Sequence, residues 1–136
     1  SENARADIDK VRAMWQVAGA EVDEMDARHH DLVLAGTSHL PHILAFALVD
    51  CLNKVEDVDE IFKYAAGGFR DFTRIASSDP EMWRDICLSN SDAILAMMQN
   101  YQQQIDELKQ CIEQGDGESI LALFKAAKDA RDSFCM

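Results

Sequence analysis

The segment that most restricts the fold is residues 43–49, in which every side chain is apolar. A helix through this segment is apolar on all sides, so it is expected in the centre of a structure, with other helices around it. Strand-like alternation of polar and apolar residues is nearly absent, and the chain has only two prolines and six glycines. The sequence therefore predicts an all-α domain.

Helical periodicity predicts a bundle of about five to six helices, some of them short. Gly19 is expected to end the first helix, and Gly36-Thr37 to interrupt the chain before a helix that Ser38 caps, with Pro41 in its first turn. Ser78 or Asp79 is expected to cap a single long helix. The helical segments, of which 57–64 and 69–76 are short ones between the five main helices, cover about residues 6–18, 27–35, 38–54, 57–64, 69–76, 79–114 and 118–134.

A heptad stripe occupies the second half of the long helix. Its apolar residues recur at spacings of 4, 3, 4, 3 and 4, which is typical of helix pairing. The pairing could be within the chain or between two copies. Because this stripe and residues 43–49 together exceed what one small bundle is expected to cover, we expect an intertwined homodimer with an interface above roughly 2,000 Å². The stripe consists of Ile94, Met98, Tyr101, Ile105, Leu108 and Ile112.

Composition narrows the functional class. The chain of 136 residues is long enough for one domain, and its net charge of −12 argues against a nucleic-acid partner. No uninterrupted apolar run reaches the roughly 20 residues of a membrane span, and the N-terminal residues do not resemble a signal peptide, so we expect a cytoplasmic protein without a membrane partner. The four cysteines, Cys51, Cys87, Cys111 and Cys135, form no CxxC pair and are expected to be buried free thiols.

All four histidines lie between residues 29 and 42, and two of them form the first candidate site. His39 and His42 are three residues apart, so they share one face of a helix. They could bind a metal, stabilise the core through hydrogen bonds, or hydrogen-bond a polar ligand. Zinc pairs on helices more often have a spacing of four, and this pair encloses no carboxylate, so we expect no metal.

Two arginines in otherwise apolar sequence form the second candidate site. Arg70 and Arg74 share a helix face and could clamp an anion, since a guanidinium matches the planar geometry of a carboxylate. Alternatively, each could be paired with a neighbouring aspartate, such as Asp71 or Asp79. The preceding Gly67-Gly68 would allow a ligand close to the backbone. Neither a GxGxxG nor a GxSxG motif is present. The histidines and arginines are therefore interpreted as one part of a site whose cofactor is bound elsewhere.

The motifs in this order resemble one enzyme family. The resemblance is found in residues 14–20, residues 26–31, Ser38-His39-Leu40-Pro41-His42, and residues 67–80. Together they are similar to the C-terminal domain of prephenate/arogenate (cyclohexadienyl) dehydrogenases of tyrosine biosynthesis. The resemblance extends over nearly the whole chain.

This resemblance implies that the complete enzyme has two domains with different roles. Family members have an N-terminal Rossmann domain that binds NAD or NADP, which this chain is expected to lack, and a helical domain that dimerises and binds substrate. They oxidise prephenate or arogenate with loss of carbon dioxide, and the histidine that acts on the substrate hydroxyl is in the Rossmann domain. The chain alone is therefore expected to be inactive and to contain no catalytic, cofactor-binding or metal-binding residue.

The resemblance also implies a set of substrate-binding residues, with Arg74 as the carboxylate clamp and some of the others reached across the dimer. An alternative function remains: a helical dimerisation or interaction module with structural histidines and no small-molecule ligand. The implied substrate-binding residues are Ser38, His39, His42, Gly67, Asp71, Arg74, Ser78 and Trp83.

Overall fold

The computed structural model of the chain describes residues 5–134, and within that range it is helical with no strand, which confirms the all-α prediction. The chain forms two compact units, one up to Asp31 and one from Leu32 onward. The elements are α1 (Arg5–Val17), α2 (Ala27–Leu34), a π-helical segment (Ala35–His39), α3 (Leu40–Leu52), α4 (Val58–Lys63), α5 (Gly67–Thr73), a 3-10 segment (Arg74–Ser77), α6 (Pro80–Ser89), α7 (Ser91–Gln114) and α8 (Gly117–Phe134).

The first unit is held together at the end of α1. Gly19 has a φ of +85° there, and the N–H of Ala20 donates to the carbonyl of Trp15 at 3.1 Å. This is the expected glycine-terminated helix end. Glu24 in the following connector pairs with both Arg5 and Arg12 of α1, which ties the connector to the helix.

The predicted break at Gly36-Thr37 is wrong, because the π-helical segment continues the helix into α3. The N–H of Leu40 donates to the carbonyl of Ala35, five residues earlier. This wider turn accommodates Pro41, which has no N–H and whose ring would clash with a carbonyl four residues earlier in a regular α-helix. The predicted Ser38 cap is also wrong, since Ser38 lies inside the π-helical segment, although Pro41 does lie in the first turn of α3.

The helical stretch Ala27–Leu52 is long and apolar enough to cross a membrane by length and composition alone. A single helix of this kind is weak support for a membrane span, since a core helix of a soluble protein passes the same test.

Helix α3 lies in the centre of the second unit, as its apolar run predicts. It contacts the π-helical segment, the 3-10 segment, α5 and α7. Only Ala45 of α3 is fully buried, however, and Ile43 and Phe46 are half-buried. A helix this apolar therefore keeps surface that the described part of the chain does not cover.

The two helices after α4 differ in detail from the prediction. Helix α5 begins at Gly67, so Gly67 and Gly68 lie in its first turn and not in a break. Asp79 caps α6 by accepting a hydrogen bond from the N–H of Met82 at 2.8 Å, and Pro80 is the first helical residue. The predicted single helix over residues 79–114 is wrong, because α6 and α7 are separated at Asn90, whose φ and ψ are −117° and 35°.

Helices α7 and α8 contact each other around a tight turn. Gly115 has a φ of +67°, and Asp116 accepts hydrogen bonds from the hydroxyl and the N–H of Ser119 at 2.7 and 3.0 Å. These hydrogen bonds, that from the hydroxyl first, lower the pKa of Asp116. Within the heptad stripe Ile94 is buried, but Ile112 at the far end is 62 % exposed.

Three of the cysteines are free thiols, as predicted, but they are not all buried. Cys87 and Cys111 are half-buried, whereas Cys51 is exposed. The exposure of Cys51 contradicts the expectation of burial, because α3 is not covered on all its sides. Cys135 lies outside the described residues.

Candidate functional site

Two imidazoles and one indole pack together where α3 and α6 begin. The ring of His42 stacks on Trp83, with centroids 3.8 Å apart and planes at 18°. The ring of His39 meets the same indole edge-on, at 6.1 Å and 77°. His39 ends the π-helical segment, His42 lies in the first turn of α3, and the Asp79 cap fixes the start of the helix that carries Trp83.

Hydrogen bonds from two further residues hold the imidazoles in place. Nδ1 of His42 donates to the backbone carbonyl of Ser38 at 2.9 Å. The side-chain amide of Asn90 donates to Nδ1 of His39 at 3.2 Å. These five residues, Ser38, His39, His42, Trp83 and Asn90, are called the His–Trp cluster below.

The cluster is largely removed from water. His39 and Trp83 are only 9 % and 8 % exposed. The indole N–H of Trp83 is buried and has no hydrogen-bond partner within residues 5–134. A buried donor without a partner is costly in a folded protein, and such donors often mark places where a ligand or another chain completes the structure.

A cleft of about 280 Å³ adjoins the cluster between α3 and α6. Its lining is mostly apolar, with Arg84 as the charged residue, and Arg84 pairs with Asp85 at 2.8 Å. Its size is near the lower end for small-molecule sites. The lining residues are Ile43, Phe46, Pro80, Trp83, Arg84 and Cys87.

The two candidate arginines lie on the segment that follows Gly67-Gly68. Arg70 is in α5, and Arg74 begins the 3-10 segment; both are exposed. Neither forms an ion pair with Asp71, Asp79 or any other carboxylate in the described range. The interpretation of two arginines neutralised by neighbouring aspartates is therefore wrong for this fold.

The structure thus brings four of the eight predicted site residues together, namely Ser38, His39, His42 and Trp83. The other four lie outside the His–Trp cluster, on α5, on the 3-10 segment and on the residue after that segment. Helix α5 and the 3-10 segment both contact α3. A side chain added at Gly67 would meet nothing within 4 Å, so open space borders this segment. These four are Gly67, Asp71, Arg74 and Ser78.

The described residues offer little to a metal or a dinucleotide. No group of three or more His, Cys, Asp or Glu side chains within residues 5–134 could hold a metal ion, and the absence of metal stays a prediction. The same residues form no strand, so they cannot build the strand–turn–helix that cradles a dinucleotide phosphate. Residues 5–134 therefore contain no element of that kind for the phosphates of NAD(P).

Asn90 is the cluster residue that sequence reasoning missed. Its signal is present: Ser89-Asn90-Ser91-Asp92 is a run of helix-capping residue types inside a stretch otherwise helical in pattern. Such a run predicts a helix boundary, but not the partner of the asparagine.

Fold and site together define an all-helical domain that holds two histidines on a buried tryptophan. Beside them lies a segment with two arginines that form no ion pair with the rest of residues 5–134. The family model for the prephenate dehydrogenase dimerization domain matches residues 26–126. The chain belongs to this family, which confirms the resemblance seen in its motifs.

Similar proteins agree with this membership. Prephenate dehydrogenase of Bacillus subtilis is 42 % identical over 126 residues, which are 92 % of this chain and 34 % of that protein. Cyclohexadienyl dehydrogenase of Zymomonas mobilis is 40 % identical over 86 % of this chain and 41 % of its own length. The crystal structure of A. aeolicus prephenate dehydrogenase with hydroxyphenyl propionate and NAD+ is 38 % identical, with a TM-score of 0.89 over 98 % of this chain and 47 % of that one. The chain spans between about a third and a half of these proteins.

Proposed function

We propose that this chain is the dimerisation and substrate-binding part of a cytoplasmic NAD(P)-dependent dehydrogenase that oxidatively decarboxylates prephenate or arogenate. The observation that carries the proposal is the His–Trp cluster lying at the start of α3, while Arg74, on a segment in contact with α3, has no carboxylate partner among residues 5–134. Family membership gives the reaction class, and the complete enzyme would add a dinucleotide-binding domain.

In this proposal the chain's residues hold the substrate. The guanidinium of Arg74 pairs with a substrate carboxylate, and the imidazoles of His39 and His42 offer hydrogen-bonding nitrogens beside an apolar cleft. Ser38, Gly67, Asp71, Ser78 and Trp83 line the same pocket, some of them from the second subunit. A dinucleotide-binding domain of the complete enzyme would hold NAD(P), which would supply the hydride-acceptor chemistry. The role of this chain is to orient the substrate and exclude water.

The proposed homodimer is supported by apolar surface that the described chain leaves open. The exposed side chains follow one stripe on α7 and continue on α8, where Phe124 is 56 % exposed. This is more than isolated surface residues would give, and it favours pairing between copies over packing within one chain. The stripe includes Met98, Tyr101, Ile105, Ile112, Leu121 and Phe124.

The experiment is steady-state kinetics on the complete enzyme that carries this domain, with Arg74→Ala and its matched control Arg70→Ala. Arg74→Ala should raise KM about 30-fold, because losing an arginine–carboxylate pair costs about 2 kcal/mol when the guanidinium is partly solvated. The kcat should change far less, since the pair is made in the ground state as well. A KM defect in Arg70→Ala but not in Arg74→Ala would reverse the assignment.

A second function is a helical dimerisation module without a small-molecule ligand. The specific observation in its favour is that His39 is buried and hydrogen-bonded to Asn90, as a structural histidine would be. The two functions predict different effects of a substrate-like carboxylate on the melting temperature of the chain. A substrate-binding domain is stabilised by it, and a dimerisation module is not.

A further inference from the structure

Asn90 occupies a position where asparagine normally caps a helix, but its side chain does something else. It precedes α7, and it makes no side-chain hydrogen bond to the first turn of that helix. Its amide instead reaches His39, 51 residues away in sequence, at 3.2 Å. A capping residue type whose side chain turns to a buried imidazole in the candidate site suggests a role in that site.

The hydrogen bonds of the two imidazoles have opposite directions. An amide N–H can only donate, so Nδ1 of His39 accepts from Asn90, and the proton of the neutral ring lies on Nε2. A carbonyl can only accept, so Nδ1 of His42 donates to Ser38, and the neutral ring has its lone pair on Nε2. Two histidines three residues apart are thereby held in complementary tautomers.

We propose that Asn90 is a positioning residue of the substrate site: its amide fixes the Nε2–H tautomer of His39 and holds that ring edge-on against Trp83, on whose face His42 stacks. The inference rests on the proposed function for its link to substrate. The direct effect is on His39 alone, because His42 receives its own restraint from Ser38. The effect on His42 passes only through the shared indole.

The experiment is nuclear magnetic resonance of the imidazole nitrogens in the whole chain labelled with ¹⁵N-histidine, with His39 assigned by the signals lost in His39→Gln. The wild type should show Nε2–H for His39 and Nδ1–H for His42. Asn90→Asp, whose carboxylate can only accept, should place a proton on Nδ1 of His39 and leave the tautomer of His42 unchanged. Asn100→Ala, an exposed position on α7, is the matched control and should change neither.

A second readout links the tautomer to binding, with 4-hydroxyphenylpropionate as the probe in calorimetric titration. Asn90→Asp should weaken the wild-type affinity by about tenfold, the usual effect of one misdirected hydrogen bond. Asn90→Ser, which keeps a donor, should recover part of the loss. Circular dichroism confirms that each variant is folded.

The outcomes separate this inference from the proposed function. An Nδ1–H tautomer for His39 in the wild type, or an unchanged tautomer in Asn90→Asp, would overturn the inference. Suppose that Asn90→Asp is folded and has an altered His39 tautomer. If it still binds the probe with unchanged affinity, the positioning role is overturned. If the wild-type chain shows the stated tautomers but binds no probe, the pairing of Asn90 with His39 is supported and the proposed function is the part that fails.

Discussion

Replacing Trp83 tests whether the His–Trp cluster is a structural centre of the second unit. Trp83 is 8 % exposed, so Trp83→Ala removes nearly the full buried area of an indole and should lower the free energy of unfolding by about 3–5 kcal/mol. The stacking with His42 at 3.8 Å accounts for about 0.5–1.5 kcal/mol of this loss. Trp83→Phe keeps an aromatic face for His42 and should lose less than half as much.

The chain contains a matched control, because its other tryptophan is exposed. Trp15 in α1 is 53 % exposed, so Trp15→Ala should cost about half as much as Trp83→Ala or less. Urea denaturation followed by far-UV circular dichroism measures both. All variants are compared at one protomer concentration, since the proposed dimer would make stability depend on concentration. A larger loss in Trp15→Ala than in Trp83→Ala would refute the assignment of Trp83 to the core.

Three further predictions concern assembly, metal and pH. Sedimentation equilibrium at micromolar concentration should give a dimer, and Ile112→Glu or Phe124→Glu should shift it toward monomer; a wild-type monomer would contradict the proposed interface. EDTA should leave the melting temperature unchanged, because His39 and His42 are not expected to be metal ligands; stoichiometric zinc with a collapse in EDTA would favour the metal alternative. The pKa of Asp116 is lower in the folded chain than its ordinary value, so its stabilisation is present above that value and is lost as the pH falls through the lowered pKa. Acid unfolding of Asp116→Asn should lack this component, and equal acid sensitivity of the two proteins would disprove it.

Much of the fold follows from local sequence signals. The apolar run in α3 predicts a central helix, Gly19 predicts a helix end, and Asp79 predicts the start of α6. Each of these signals acts within a few residues: a positive φ suits glycine, and an aspartate side chain reaches the N–H three residues on. They hold wherever the rest of the chain lies.

The errors lie where distant contacts decide the backbone. Gly36 and Pro41 are typical of a break, but the π-helical segment contacts α7, and a side chain at Gly36 would lie 3.6 Å from Cε of Met97. The interruption at Asn90 likewise coincides with a hydrogen bond to His39 from another part of the chain. Sequence periodicity contains no information on either contact. It therefore predicts a break at Gly36-Thr37 where the helix continues, and a single helix where α6 and α7 are separate.

The candidate site was predictable as residue types but not as an arrangement. Motif spacing groups His39 with His42 and Arg70 with Arg74, since each pair shares a helix face. It does not bring Trp83 into contact with both imidazoles, because that placement depends on how α6 packs against α3. Whether Arg74 and the His–Trp cluster bind one ligand stays a prediction.

The measurement that tests the central claim most directly is thermal unfolding of the wild-type chain with and without prephenate. A ligand at about 100 times its dissociation constant stabilises the folded state by about 2.7 kcal/mol, so the melting temperature should rise with concentration and saturate. The rise should be much smaller in Arg74→Ala and unchanged in Arg70→Ala. A wild-type melting temperature that does not move at any prephenate concentration would contradict substrate binding by this domain and favour the dimerisation module alone.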